Sequence, residues 1–180
     1  MRILKENCTG LIIDIQERLF PHMYQKEALI ERCTILIQGL AVLEVPMLIT
    51  EQYPRGLGST LDEIKSLIQP FNPIEKIAFS CCDEPAYKRE LDQTGRQTVL
   101  ICGIEAHVCV QQTVIDLLET RFLPVVMADC VSSRSAADRD VALQRMSSEG
   151  AVISTSESIL FELARVAGTA TFKTISKLVK

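Results

Sequence analysis

The feature that most constrains the fold of this chain is a regular alternation of short apolar runs with longer amphipathic segments. Six runs rich in Ile, Val and Leu occur along the 180 residues, at 9–14, 46–50, 73–79, 98–103, 123–129 and 151–155. Most of these runs are continuously apolar instead of alternating with polar residues. Continuous runs are typical of strands that helices cover on both faces, as in a parallel sheet.

Two of the intervening segments, 26–44 and 110–122, place apolar side chains at helical spacing. Strand and helix therefore alternate, which predicts an α/β fold: a three-layer, doubly wound, Rossmann-like sandwich around a six-stranded, mostly parallel sheet. The length suits one domain that spans residues 1–180. The C-terminal stretch 169–180 looks like an added helix or tail.

Charge and cysteine content exclude several functional classes. A formal net charge of −4, no Lys/Arg block and no Trp argue against a nucleic-acid partner. No apolar run approaches the roughly 20 residues that span a bilayer, so we expect no membrane segment. Seven cysteines, an odd number without the spacing of a disulfide scaffold, favour reduced thiols. We therefore expect a cytoplasmic protein, with a mitochondrial location as the alternative.

Sequence motifs for bound nucleotides and metals are missing. The first strand leads into DIQERLFPHM, which lacks the glycines of a dinucleotide-binding turn, and no Walker pattern occurs. The only histidines are His22 and His107, and no C-x-x-C pair is present, so a zinc site has no plausible ligand set. We expect neither a metal nor a cofactor.

In doubly wound sheets, ligands bind beyond the carboxyl ends of the strands, near the point where strand order reverses. Polar residues that follow the predicted strands are therefore candidates for function: Asp14, residues 50–58, Lys76, residues 103–109 and residues 129–135.

Cys109 lies where the fourth predicted strand has ended and a helix begins. A helix N-terminus lowers a thiol pKa, and its free N–H groups can bind an oxyanion, so Cys109 is a candidate nucleophile. The alternative is a small core side chain. A nucleophile needs a base, for which Asp14 is a better candidate than His107, although Asp14 could simply cap a turn. Lys76 needs a negative partner if it is buried, or is solvated at a sheet edge.

Asp14 in LIIDIQ, Lys76 in IEKIAFS and Cys109 in GIEAHVCV resemble the Asp–Lys–Cys triad of the isochorismatase-like cysteine hydrolases. That family includes nicotinamidase and N-carbamoylsarcosine amidohydrolase. The resemblance covers a core of about 8–165, which leaves 166–180 as a C-terminal helix or tail. The stretch TEQYPRGLGST (50–60) is similar to the subgroup of isochorismatase domain-containing proteins.

The resemblance implies a six-stranded parallel sheet and a role for each residue. Asp14 would be the general base and later the acid, Lys76 the electrostatic partner and Cys109 the nucleophile that attacks a carboxamide-like carbon. Ammonia would leave, and water would hydrolyse the thioester. The family pattern also implies a cis peptide between Ile104 and Glu105, and an oxyanion hole formed by the backbone N–H groups of Glu105 and Cys109.

Departures from the family pattern bear on the substrate. Nicotinamidases have an Asp and two His residues after the second strand for a metal, where this chain has EQYPRGLG (51–58), so we expect a metal-independent enzyme. The presence of Cys109 favours C–N or thioester chemistry over ether cleavage. The carboxylate of Glu105, beside the expected oxyanion hole, would disfavour acidic substrates.

Candidate contacts to a small-molecule substrate are Gln16, Phe20, Gln52 and Tyr53, each of which could instead serve packing or an interface. The family implies a homo-oligomer. Two alternatives to an amidohydrolase stay open: a redox-responsive or interaction protein with little hydrolysis, and an ether hydrolase of the isochorismate type.

Overall fold

A computed structural model describes residues 2–180 of the protein. Six strands form one sheet: β1 Cys8–Ile13, β2 Met47–Gln52, β3 Ile74–Lys76, β4 Thr98–Ile104, β5 Leu123–Ser132 and β6 Val152–Ser154. The spatial order is β3-β2-β1-β4-β5-β6, and every neighbouring pair is parallel. The predicted six-stranded α/β sandwich is confirmed.

Within the described residues, eight α-helices connect and cover the strands: α1 Lys26–Val42, α2 Pro54–Leu57, α3 Asp62–Lys65, α4 Pro85–Gln93, α5 Gln111–Leu118, α6 Ala136–Glu149, α7 Ser156–Ala164 and α8 Ala170–Leu178. α1, α7 and α8 pack together, and α5 packs on α6. No helix within residues 2–180 is long and apolar enough to cross a membrane.

Side chains of the central strands supply two separate cores. Leu11 and Ile13 of β1 join one apolar cluster, whereas Ile12 between them joins the other. The same division holds in β4, where Ile101 and Leu100 enter different clusters. Alternate strand residues face opposite sides of a sheet, so a continuous apolar run is what a strand covered on both faces requires.

Local sequence signals fix the starts of the later helices. Ser135, Thr155 and Thr169 precede α6, α7 and α8, and each side-chain oxygen accepts a hydrogen bond from a backbone N–H in the first turn. Such N-caps satisfy donors that have no partner inside the helix. α8 forms the C-terminal helix; its Ile175 is buried, in the same apolar cluster as residues of α1 and α7.

The order of strands reverses beside β1. From β1 the chain adds β2 and β3 on one side and then returns to place β4 on the other, so β1 lies between β2 and β4. Ile13, the last residue of β1, pairs with Thr50 and with Gly103. The residues that follow Ile13, Thr50 and Gly103 therefore meet at one edge of the sheet, where ligands bind in this class of fold.

Candidate active site

Asp14 directly follows β1, at the point where the strand order reverses. Its backbone is left-handed, with φ at 52°, and the residue is fully buried. Oδ1 accepts a hydrogen bond from Thr50 Oγ1 at 2.8 Å, and Oδ2 accepts one from Lys76 Nζ at 2.7 Å. Both carboxylate oxygens are therefore held by partners from β2 and β3, which is what a buried charge needs.

Lys76 ends β3, the edge strand, yet its side chain has no exposed surface. Besides Asp14, Nζ lies within hydrogen-bond distance of Gln52 Oε1 at 2.7 Å and of the carbonyl oxygens of Phe79 and Ala78 at 3.0 and 3.2 Å. Burial lowers the pKa of Lys76, but the Asp14 carboxylate and nearby thiols outweigh burial and raise it overall. The alternative of a solvated lysine is wrong.

Cys109 lies in a π-helical turn, Ala106–Val110, which leads directly into α5. The residue is 5% exposed, and its carbonyl accepts a hydrogen bond from Thr113 Oγ1 at 2.7 Å. Burial and then the Asp14 carboxylate raise the pKa of the Cys109 thiol, and Lys76 opposes them. The expectation that the helix N-terminus would lower this pKa is therefore wrong, because burial and a neighbouring negative charge outweigh it.

The chain between β4 and Cys109 is tightly constrained. Gly103 has φ at 136°, and a Cβ atom there would lie 2.1 Å from the carbonyl oxygen of Ile13. The peptide between Ile104 and Glu105 is cis. The Glu105 carbonyl accepts from the N–H groups of Val108 and Val110 at 3.1 and 3.2 Å. The turn places the Cys109 thiol beside Asp14, close enough for the carboxylate to act on it through a hydrogen bond and its charge.

A known protein family matches most of this chain. The family model described as "Isochorismatase domain" matches residues 9–158. The chain belongs to the isochorismatase family. Membership supports a hydrolase of the cysteine hydrolase superfamily.

Relatives of this isochorismatase-family chain span nearly all of it. Isochorismatase domain-containing protein 2A of Mus musculus is 39% identical over 180 residues, which cover 99% of this chain and 85% of the mouse protein. The structure of MAR1 ribonuclease from Caenorhabditis elegans is 37% identical with a TM-score of 0.92, over 99% of this chain and 92% of that one. YcaC from Pseudomonas aeruginosa, solved with hexane-2,5-diol and covalent acrylamide, shares the fold at 22% identity and a TM-score of 0.92, over 98% and 91% of the two chains.

Gln16 and Gln52, two of the predicted substrate contacts in this family member, form hydrogen bonds within the protein. The Gln16 amide donates to the carbonyls of Gln52 and Gly58 at 3.0 and 2.7 Å and accepts from the Gln52 N–H at 2.7 Å. The Gln52 side chain accepts from Lys76 and donates to the Ile77 carbonyl. These bonds favour a positioning role for both glutamines over the predicted contact with substrate.

The other two predicted contacts differ from each other in exposure. Phe20 is half-buried and packs against the apolar cluster that contains α1. Tyr53 is 51% exposed and lines a cavity of about 350 Å³ together with Pro54, Arg55 and Ile77. Of the four candidates, Tyr53 thus has the most side-chain surface available to a substrate.

Two neighbours of the candidate triad received no role from the sequence, although Thr50 begins the candidate stretch 50–58. Thr50 holds the second oxygen of Asp14, and Cys81 Sγ lies 3.9 Å from Thr50 Oγ1. Burial, followed by the Asp14 charge, raises the pKa of Cys81 to about 12. The signal for Thr50 in the sequence is that it is a polar residue within the second apolar run. Cys81 follows an irregular segment, so no periodic pattern could place it at the site.

The rim of the site is formed by the segments that follow β4 and β5. His107 Nδ1 lies 2.9 Å from Ser133 Oγ, and Arg134 Nε donates to Glu105 Oε2 at 2.9 Å. Within residues 2–180, no three His, Cys, Asp or Glu side chains cluster in a way that could hold a metal ion. The expectation of a metal-independent site stays a prediction.

A cavity of about 860 Å³, larger than the one beside Tyr53, lies next to α4 and α5. Tyr87, Leu91, Ile115 and Leu117 contribute to its walls, whereas Asp14, Lys76 and Cys109 do not. The size of a cavity therefore does not locate the candidate chemistry in this protein. The buried ion pair next to a cysteine does.

Proposed function

We propose that the chain is a metal-independent cysteine hydrolase that cleaves a C–N, amide-like bond of a small molecule through a thioester on Cys109. The observation that carries this proposal is the fully buried ion pair of Asp14 and Lys76, whose charges act directly on the Cys109 thiol. Buried ionisable groups with perturbed pKa values, gathered at one strand edge, are typical of catalytic sites.

In the first half of the proposed reaction, Asp14 takes the proton from Cys109 Sγ while the sulfur attacks the carbonyl carbon. The C–N bond then breaks as Asp14 returns this proton to the leaving nitrogen, so that ammonia or an amine departs and a thioester remains. The backbone N–H groups of Glu105 and Cys109 are the proposed donors to the oxyanion.

In the second half, Asp14 removes a proton from a water molecule that attacks the thioester carbon. Collapse of the second tetrahedral intermediate breaks the C–S bond, and the proton returns to Cys109 Sγ as the carboxylic acid product leaves. Lys76 keeps its charge throughout, since its pKa is raised. Its role is to stabilise negative charge on Asp14, on the thiolate and on the intermediates.

The raised pKa of Cys109 makes a base necessary in this scheme. At neutral pH the resting thiol is protonated, because burial and Asp14 both disfavour the thiolate. A proton that moves from sulfur to Asp14 keeps the total charge of the site unchanged, which avoids the cost of creating an extra buried charge.

The direct test is a screen of small amides for ammonia release with the unmodified chain, Cys109→Ala and Cys82→Ala. Cys82 is a matched control because it is 7% exposed against 5% for Cys109 and contacts neither Asp14 nor Lys76 through a hydrogen bond. Activity should persist in Cys82→Ala and fall to background in Cys109→Ala. Background release from all three proteins would instead favour the redox-responsive or interaction role.

Two other reactions are assayed on the same preparations. Activity on an isochorismate-type ether that survives Cys109→Ala would favour ether hydrolysis. The Caenorhabditis elegans relative is described as a MAR1 ribonuclease, so RNA is the second substrate to include. We expect no RNA cleavage, because the chain has a formal net charge of −4 and no Lys/Arg block to bind the phosphates.

We also propose that the chain forms a homo-oligomer in the cytoplasm, with mitochondria as the alternative compartment. Ile77 and Phe79, next to the candidate site, are 72% and 54% exposed, and apolar side chains of this size are commonly covered in assemblies. All seven cysteines are free and buried, in keeping with a reducing compartment. Light scattering of the purified chain and cell fractionation test the two proposals separately.

A further inference from the structure

An ion pair at the rim joins the segment that carries the nucleophile to the loop after β5. Glu105 is the residue before the π-helical turn of Cys109, and its side chain is only 13% exposed. Its Oε2 accepts a hydrogen bond from Nε of Arg134 at 2.9 Å, and the Arg134 side chain is 65% exposed. The largely buried carboxylate of Glu105 is thus neutralised by the solvent-exposed guanidinium of Arg134.

The loop that carries Arg134 is held in place by a second contact. Ser133, the preceding residue, has its Oγ 2.9 Å from Nδ1 of His107, which lies in the Cys109 turn. The Ser133 carbonyl also accepts from the N–H of Tyr24 at 2.8 Å. The backbone before Arg134 is therefore anchored by these contacts, at the carboxyl ends of the strands where Cys109 also lies.

The guanidinium of Arg134 keeps binding capacity after pairing with Glu105. Nε is used by Glu105, and within residues 2–180 neither Nη1 nor Nη2 of Arg134 has a protein acceptor. These two nitrogens form part of the planar fork that binds carboxylate or phosphate oxygens in pairs. Glu105 orients the fork through Nε and leaves its outer nitrogens free.

We propose that Arg134 determines specificity by binding an anionic group of the substrate, so that the substrate class is an amide bearing a carboxylate or phosphate. This inference rests on the proposed function of Cys109. It replaces the expectation that Glu105 repels acidic substrates, because the ion pair cancels that charge. Asp14 and Lys76 likewise form a neutral pair, so neither adds net repulsion against an anion.

The experiment compares alkylation of Cys109 by iodoacetate, which is anionic, with alkylation by neutral iodoacetamide of nearly the same size. The ratio of the two alkylation rates reports how strongly the site favours or disfavours a negatively charged reagent. It can be measured without catalytic turnover. Variants are Arg134→Ala, Glu105→Gln and, as a control, Arg121→Ala. Arg121 lies just before β5, at the opposite end of the sheet, and its side chain is 61% exposed against 65% for Arg134. It pairs with Asp92, and its loss changes the net charge equally.

We expect the iodoacetate to iodoacetamide ratio to fall roughly fivefold or more in Arg134→Ala, since Glu105 then stands unpaired. The ratio should rise in Glu105→Gln, where Arg134 is unpaired, and stay unchanged in Arg121→Ala. Opposite shifts in the first two variants cannot come from a general loss of folding, which would alter both reagents alike.

An unchanged ratio in Arg134→Ala would overturn the inference while leaving the nucleophile in place. A ratio that falls equally in Arg121→Ala would overturn it too, because net charge alone would then explain the effect. If neither reagent labels Cys109 of the unmodified chain, the proposed function itself fails and this inference fails with it. On substrates, monoamides of dicarboxylic acids should lose kcat/KM in Arg134→Ala more than alkyl amides of equal length.

Discussion

Nζ of Lys76 lies 2.7 Å from Oδ2 of Asp14, and neither side chain has any solvent-exposed surface. The two charges come from strands that are not neighbours, with β2 between them. Each charge makes the burial of the other tolerable, so stability and the proposed chemistry depend on the same contact.

Removal of one partner should cost more than removal of both charges. Lys76→Ala leaves the Asp14 carboxylate buried without its cation, and we expect a loss of about 3–5 kcal/mol in the free energy of unfolding. The double variant Asp14→Asn/Lys76→Met should lose less than Lys76→Ala, because no charge remains in the site. Urea denaturation measures both values. Equal losses would show that the pair is not the source of the effect.

Thr50→Val tests the second oxygen of Asp14. The substitution keeps the shape of the side chain but removes the hydroxyl that donates to Oδ1 at 2.8 Å. We expect a loss of about 1.5–3 kcal/mol in unfolding free energy, since the hydrogen bond involves a buried charge. Amide hydrolysis should fall roughly tenfold or more as the base loses its orientation. Thr50→Ser, which keeps the hydroxyl, is the control, and equal activity of the two variants would contradict this role.

Gly103→Ala should be among the most damaging small substitutions in the chain. The added Cβ would meet backbone atoms of Ile13 at 2.1–2.8 Å, and φ at 136° is itself unfavourable for alanine. Gly95→Ala is the matched control, because φ is 66° but no atom lies within 4 Å of the added Cβ. We expect Gly95→Ala to lose about 1 kcal/mol and Gly103→Ala several times more. Similar melting temperatures for the two would contradict the close approach of β1 and β4.

Stability should fall at alkaline pH because of the buried thiols. Burial is the main cause that raises the pKa of Cys8, Cys81 and Cys82 from 9.0 to about 12. Below pH 9 both folded and unfolded chains keep these protons, so the stabilisation is complete. Between pH 9 and 12 only the unfolded chain loses them, and the free energy of unfolding therefore decreases as pH rises.

Urea midpoints at pH 8, 9.5 and 11, under reducing conditions, measure this alkaline loss. Cys82→Ala removes one of the titrating groups and should show a shallower decline than the unmodified chain. A decline of the same slope in both proteins would contradict a contribution from Cys82.

The order and type of the elements could be predicted from the sequence because apolar periodicity reports burial directly. Its limits are seen in the third run, predicted as a strand over 73–79, of which only Ile74–Lys76 is a strand. The chain leaves the sheet there because the carbonyls of Ala78 and Phe79 turn towards Nζ of Lys76. This hydrogen bonding depends on the folded position of one side chain, so local pattern could not show it.

The candidate site was predictable to the extent that its residues follow strands. Asp14, Lys76 and Cys109 satisfy that rule, and the structure places them at one edge. The positioning bonds of Gln16 and the ion pair of Arg134 join residues 29 or more positions apart. Such pairings arise from packing between elements, and no spacing in the sequence encodes them. The direction of the Cys109 pKa shift was missed for the same reason, since burial is a tertiary property.

The strand order places β1 and β2 between β3 and β4, so all four strands are needed to form the candidate site. Asp14, Lys76 and Cys109 follow or end β1, β3 and β4, and β2 lies between β1 and β3, where Thr50 donates to Asp14 and Gln52 accepts from Lys76. A fragment that lacked any one of these four strands would lose a member of the set or the framework that aligns it. The proposed chemistry therefore cannot be inherited by a smaller module of this fold, and recombination of such chains could exchange the outermost strand, β6, more freely than the centre.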